Sequence, residues 1–145
     1  MNSTTPNDTI SVPVKIARMS SARLCPGASD EVESEAVVLT GSNGVFSVGG
    51  DLKSFSRAGD RLPHALKELT TYLHAAVSRL ARMDAPVVAA VNGAAAGAGM
   101  SLACAADIVL CGTSARFTMA YTRAGLAPDG SSTYFLPRLV GLRRA

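Results

Sequence analysis

Tryptophan is absent from this chain of 145 residues, and aromatic side chains make up only 5% of it. Charge is also sparse: 14 Lys and Arg face 11 Asp and Glu, for a formal net charge of +3. The arginines are scattered apart from a small cluster at Arg138, Arg143 and Arg144, and no basic block alternates with aromatic rings. That pattern argues against a nucleic-acid surface, while a small polyanionic ligand fits it. The three cysteines, Cys25, Cys104 and Cys111, are an odd number with no C-x-x-C spacing. They form neither a disulfide framework nor a zinc site, and they read as small buried hydrophobes in a reducing cytosol. No metal is expected. The polar start (Asn2, Ser3, Thr4, Thr5, Asn7, Asp8) lacks a signal-peptide pattern, so a cytoplasmic location is expected.

Charge is missing altogether between Asp84 and Asp107, a gap just long enough to span a bilayer. The gap is mostly Ala and Gly, interrupted by Pro86 and Asn92. Such residues carry little insertion energy, so no membrane segment is expected there. What the chain does have is a 48% apolar fraction, enough for a packed core in about one domain.

Residues 1–34 form an atypical, partly disordered opening. Residues 1–9 read as a tail. Ile10, Val12, Val14 and Ile16 alternate as in a strand, which Pro13 pushes to a sheet edge. Ser20 to Asp30 reads as loop. Clearer order runs from residue 35 to residue 145. Ala36–Thr40 is a buried strand, Gly41–Gly44 a turn, and Val45–Val48 leads into Gly49-Gly50. From Leu62 to Met83 apolar residues recur at three and four, the mark of one amphipathic helix facing a core. Asp84-Ala85-Pro86 ends it. A strand at Val87–Val91 is followed by a helix from about Gly99 to Ala106. Asp107–Cys111 is a further strand and Ala115–Met119 a shorter extended piece. Leu126–Gly130 is a turn, and a helix begins at Ser131. The alternation implies an α/β fold with mostly parallel pairing. No internal repeat is visible.

Two glycine-bearing turns stand out, Val48-Gly49-Gly50-Asp51-Leu52 and Ala96-Gly97-Ala98-Gly99-Met100. Each follows a strand-like segment and could present a free backbone N–H. Two such donors meeting at one oxygen would make an oxyanion hole, although glycine-rich turns are more often only turns. Ser101 lies close to a nucleophile-elbow pattern, but the final Gly is missing. Gly97-Ala98-Gly99 followed by Leu102 fails the dinucleotide fingerprint at its last position. His64 and His74 read as surface or partly packed histidines. Asp129, before Gly130 and Ser131, reads on its own as a helix cap or turn residue.

Phe46-Ser47-Val48-Gly49-Gly50-Asp51-Leu52-Lys53 resembles the first signature of the crotonase (enoyl-CoA hydratase/isomerase) superfamily. Pro86–Gly93 with Ala96-Gly97-Ala98-Gly99 resembles the second, and Cys104–Val109 continues it. Ala115-Arg116-Phe117, Gly125–Gly130 and Leu136–Gly141 complete the match over about residues 36–145. The resemblance implies an α/β, crotonase-like ββα superhelix, incomplete at the C-terminus. It places oxyanion N–H groups on Gly50 and Ala98, which in the family hold the thioester oxygen of an acyl-CoA as it becomes an enolate. Gly49, Gly97 and Tyr121 would line the substrate site. Asp51, Leu52 and Lys53 would lie near the adenosine part of coenzyme A, with Lys53 as partner of a phosphate.

Family hydratases add water with two glutamates, and this chain has Ser101 and Tyr121 at those positions. Asp129 occupies the place where similar isomerases, including ring-epoxide isomerases, carry an aspartate base. The resemblance therefore implies an enzyme that isomerises an enoyl-CoA double bond through a thioester enolate. Its alternatives are an enoyl-CoA hydratase or acyl-CoA hydrolase, and a non-catalytic CoA-binding or assembly fragment. No cofactor is implied beyond coenzyme A as part of the substrate. Full-length relatives form trimers or hexamers through C-terminal helices, and a chain without those helices is expected to expose apolar surface.

Overall fold

In the computed structural model, residues 14–19 and 36–145 are described. The chain alternates strands and helices: β1 (Val14–Met19), β2 (Ala36–Gly41), β3 (Val45–Ser47), α1 (Leu52–Ala58) and α2 (Leu62–Leu80). Then follow β4 (Val87–Val91), β5 (Ala94–Ala96), α3 (Ala98–Cys104), β6 (Ile108–Cys111), β7 (Arg116–Thr118) and α4 (Ser132–Val140). Single 3-10 turns at Gly59–Arg61 and Tyr121–Ala124 precede α2 and α4.

From β2 onward the path repeats three times. One strand enters a first sheet, the next enters a second sheet, and a helix returns the chain. The first sheet runs β1-β2-β4-β6 and the second β3-β5-β7. All pairings are parallel except β1 with β2, where Val14 faces Gly41 and Met19 faces Ala36. The fold is thus α/β with a ββα repeat. No sequence repeat announces it, because the repeat is one of backbone path and the side chains differ from turn to turn. Among the described residues β1 is the outermost strand beside β2; Ile10, Val12, Pro13 and the loop expected at Ser20–Asp30 lie outside the described residues.

The core sits between the two sheets and the helices. Leu39, Phe46, Val87, Ala89, Val91, Ala95 and Ala103 are all buried, with Leu80 packed against them. Val87, Ala89 and Val91 point inward on alternate residues, the period of a strand with one buried face. The small side chains let the layers come close. Gly99 shows how close: a Cβ there would collide with the backbone oxygen of Ser47, so α3 packs on β3 only with glycine at this point. Asp107 ties the start of β4 to β6, its Oδ2 accepting from Val87 N at 2.8 Å and its own N donating to Val87 O at 2.9 Å.

Five local expectations change. Cys111, read as buried, is exposed in β6. Helix α1 was not foreseen; Asp51 caps it, Oδ1 accepting from Lys53 N at 2.9 Å and Ser54 N at 3.3 Å. Helix α2 ends at Leu80, three residues before Met83, because the chain must already turn toward β4. Ala94–Ala96 forms strand β5, paired on both sides, although alanine has little strand preference. Helix α3 runs over Ala98–Cys104 rather than to Ala106. At the β6 side of the first sheet, unpaired among the described residues, Ile108, Val109 and Leu110 are exposed, as are Phe117, Leu139 and Leu142.

Candidate active site

A cavity of about 330 Å³ opens between the glycine turn after β3, the start of α3, helix α2 and the segment 120–129. Its walls are mainly apolar. Leu66, Leu69 and Leu73 of α2 face it, at the three-and-four spacing of one helix stripe. Farther along, the same stripe turns from cavity to core, where Val77 is buried and Leu80 packs against the central cluster. Gly49, Gly50, Leu52, Gly97, Ala98, Tyr121 and Asp129 line this single cavity. Asp51 and Lys53 lie outside its lining and are exposed.

The two glycine turns, nearly fifty residues apart, meet at the cavity floor. A Cβ placed on Gly49, where φ is +88°, would stand 3.2 Å from Ala98 N and 3.2 Å from Ala96 O. Ala98 is the first residue of α3, so its N–H has no partner within the helix. Gly97 precedes it with φ +52°, anchored by its N–H to Thr118 O at 3.0 Å. The Phe55 ring packs over Gly50, whose added Cβ would come within 2.7 Å of the ring. Helix α1 therefore forms part of the cavity mouth through Leu52 and Phe55.

Asp129 lines the same cavity. Its backbone carbonyl is clamped: Ser101 Oγ donates to it at 2.8 Å, Tyr121 OH lies 3.2 Å away, and Ser132 N donates at 3.2 Å. Ser101 Oγ and Tyr121 OH also bond each other at 2.8 Å. Ser101 is fully buried and Tyr121 nearly so. Burial pushes the Tyr121 phenol up; the charge of Asp129 adds to this, and the Ser101 bond opposes it. Ala120 and Ser131, which flank the segment, both take a left-handed backbone with φ of +48° and +60°.

The Asp129 carboxylate does not cap α4. Ser131 holds the cap position, without a side-chain cap bond. Instead Asp129 Oδ1 meets Nε2 of His74 on α2, fifty-five residues earlier. His74 is exposed, as expected from its place on the helix, but its role as partner of Asp129 was not legible. A faint signal was present, since His74 directly follows Leu73, a cavity-wall residue. His64 is exposed and stands outside the cavity lining.

The Asp51 carboxylate is spent on capping α1, with Ser54 Oγ donating to Oδ2 at 2.7 Å. Hydrogen bonds from Ser54 hold its pKa below the ordinary value, outweighing the small cost of desolvation. Among the described residues no cluster of His, Cys, Asp and Glu could hold a metal ion, and no helix is long and apolar enough to cross a membrane.

Residues 27–145 match the family model of enoyl-CoA hydratase/isomerase. The chain belongs to the enoyl-CoA hydratase/isomerase family. It is 48% identical over 113 residues to a Rhodobacter capsulatus protein named "Probable enoyl-CoA hydratase", covering 78% of this chain and 43% of that one. It is 43% identical over 113 residues to 4-chlorobenzoyl coenzyme A dehalogenase-1 of an Arthrobacter species, covering 76% of this chain and 40% of the relative. It is 40% identical over 111 residues to 1,2-epoxyphenylacetyl-CoA isomerase of Escherichia coli K12, covering 75% and 42%. A family crystal structure from Thermobifida fusca, in complex with acetoacetyl-CoA, superimposes with TM-score 0.65 at 34% identity, covering 74% of this chain and 45% of that one. The chain spans about two fifths of the length of the curated relatives it matches.

Proposed function

We propose that this chain carries an acyl-CoA site at which a single carboxylate isomerises an enoyl-CoA double bond. The observation that carries the reading is the polar content of the cavity. Among the described residues Asp129 is the one acidic residue in its lining, which also includes Gly50 and Ala98 of the two glycine turns. The two positions expected to hold hydratase glutamates are Ser101 and Tyr121, and both are committed to the Asp129 backbone.

Adding water across a double bond calls for a base at water and an acid at carbon. Moving a proton between two carbons needs one group that takes it and returns it. Asp129 serves as that group. The N–H groups of Gly50 and Ala98 would donate to the thioester oxygen while it carries enolate charge, the type of stabilisation that is worth several kcal/mol per donor. The apolar wall of Leu66, Leu69 and Leu73 fits the acyl portion. Leu52 lines the cavity and Lys53, beside it, is exposed, which fits Lys53 as the partner of a coenzyme A phosphate.

The test is incubation of the purified chain with a 3-enoyl-CoA. The expected outcome is the conjugated 2-enoyl-CoA, with turnover reduced by roughly 10²–10⁴-fold in Asp129→Asn. Water addition that survives this substitution would overturn the reading in favour of a hydratase. Tight CoA binding without any turnover would identify a non-catalytic module. A second reading is favoured by the His74–Asp129 pair together with the name of the dehalogenase relatives: exchange of an aryl chloride for hydroxide from water. Release of chloride from 4-chlorobenzoyl-CoA would select it.

A further inference from the structure

Asp129 faces two environments. Asp129 lines the apolar cavity, yet its side chain is 28% exposed. His74 is absent from the cavity lining; its Nε2 holds Asp129 Oδ1 while 52% of its side chain is open to solvent. The imidazole thus touches both the carboxylate and water. Among the described residues the side-chain hydrogen bond of Asp129 goes to His74, whereas Ser101 and Tyr121 contact only its backbone oxygen. An imidazole accepts a proton at one nitrogen and releases one from the other, and it does so near neutral pH.

We infer that His74 is a proton-relay residue that connects Asp129 to solvent, so that the hydrogen moved during isomerisation is exchanged with water rather than carried over intact. The inference rests on the isomerase reading of the same site. Asp129 takes a proton from the substrate carbon, and the C–H electron pair stays behind as the enolate. The carboxylic acid so formed passes its proton to Nε2 of neutral His74. The resulting imidazolium loses its Nδ1 proton to water. A solvent proton returns by the reverse route to Asp129, and the enolate electron pair takes it at the second carbon. Proton and charge balance across the cycle, and no other reactant is required.

The test is turnover of a 3-enoyl-CoA in D2O, with deuterium measured by mass spectrometry in both the product and the recovered substrate. The wild-type chain should give product rich in solvent deuterium. His74→Gln keeps a polar amide beside the Asp129 carboxylate but cannot relay a proton. It should lower deuterium per turnover by roughly tenfold, a larger drop than in turnover itself. His74→Ala, which removes both the contact and the relay, should also lower deuterium per turnover. Circular dichroism and CoA binding check that each variant folds.

Equal deuterium per turnover in the wild type and His74→Gln overturns the inference. So does wild-type product free of deuterium. A wild-type chain that neither isomerises the substrate nor washes its hydrogens out overturns the isomerase reading itself, and this inference with it. The two failures are therefore distinguishable, because only the first leaves turnover intact.

Discussion

At Gly130 the backbone has φ +60°, and an added Cβ would stand 2.8 Å from the Cβ of buried Ser101. The neighbouring Asp129 carbonyl is the acceptor for that same serine. Gly130→Ala therefore places strain on the clamp that sets the carboxylate, with an expected loss of about 1–3 kcal/mol in stability. Chemical denaturation will measure it, and under the proposed function isomerisation should fall alongside. Burial also raises the Cys104 thiol and the Tyr121 phenol above their ordinary values of 9.0 and 10.0. The folded state then holds these protons more tightly than the unfolded chain does. The stability tied to them is fully present below pH 9 and is lost as pH rises past 9.0 and then 10.0 toward the folded values. A Tm series from pH 8 upward should show that decline, and Tyr121→Phe should remove the later part of it.

Much of the site could be read from residues alone. Gly49, Gly50, Gly97 and Ala98 form long, distinctive strings, and the cavity brings all four together with Tyr121 and Asp129. His74 could not be read this way. A single histidine on an exposed helix face has no local partner, and its contact is made by folding across fifty-five residues. The second meaning of Ser101 was equally hidden. Its position suggests a missing acid, while the fold shows its hydroxyl holding the backbone carbonyl of Asp129.

Elements divide their labour along their length. The apolar stripe of α2 reads from sequence as one core-facing surface, yet Leu66, Leu69 and Leu73 face the cavity and only Val77 and Leu80 join the core. Periodicity identifies a buried face but not what lies opposite it. The two halves should separate on mutation. Val77→Ala removes two buried methyl groups and should cost about 2 kcal/mol of stability. Under the proposed function, Leu73→Ala should alter KM for long acyl-CoA substrates while stability changes far less.

Helix α1 was missed because it is short and has few apolar residues, so its signal lies in one capping aspartate. Asp51→Ala should fray α1 and loosen Leu52 and Phe55 at the cavity mouth, read as faster amide exchange over residues 52–58. The folded pKa of Asp51 is depressed below 3.8, so its contribution is present above that pH. Lowering the pH through the folded value should reproduce the fraying in the wild-type chain.

For the molecule as a whole, the two-sheet path explains both its order and its exposed margin. Each ββα turn covers the preceding one: β4 is enclosed by β2 and β6, and its inward residues are fully buried. β6 is the last strand of its sheet and has no neighbour on its outer side among the described residues. Ile108 is 51% exposed and Leu110 is 60% exposed. An apolar edge strand offers both unpaired backbone groups and a sticky surface, so it templates pairing with another chain. The protein should therefore self-associate as its concentration rises. Leu110→Lys places a charge on that edge without touching the core, the cavity or the Asp129 clamp, and it should shift the population toward monomer. Sedimentation velocity over a range of concentrations compares the two chains. If the mechanism is edge pairing, raising the salt concentration should partly restore association of the lysine variant, because screening weakens repulsion between its added charges, while leaving the apolar attraction of the wild type in place.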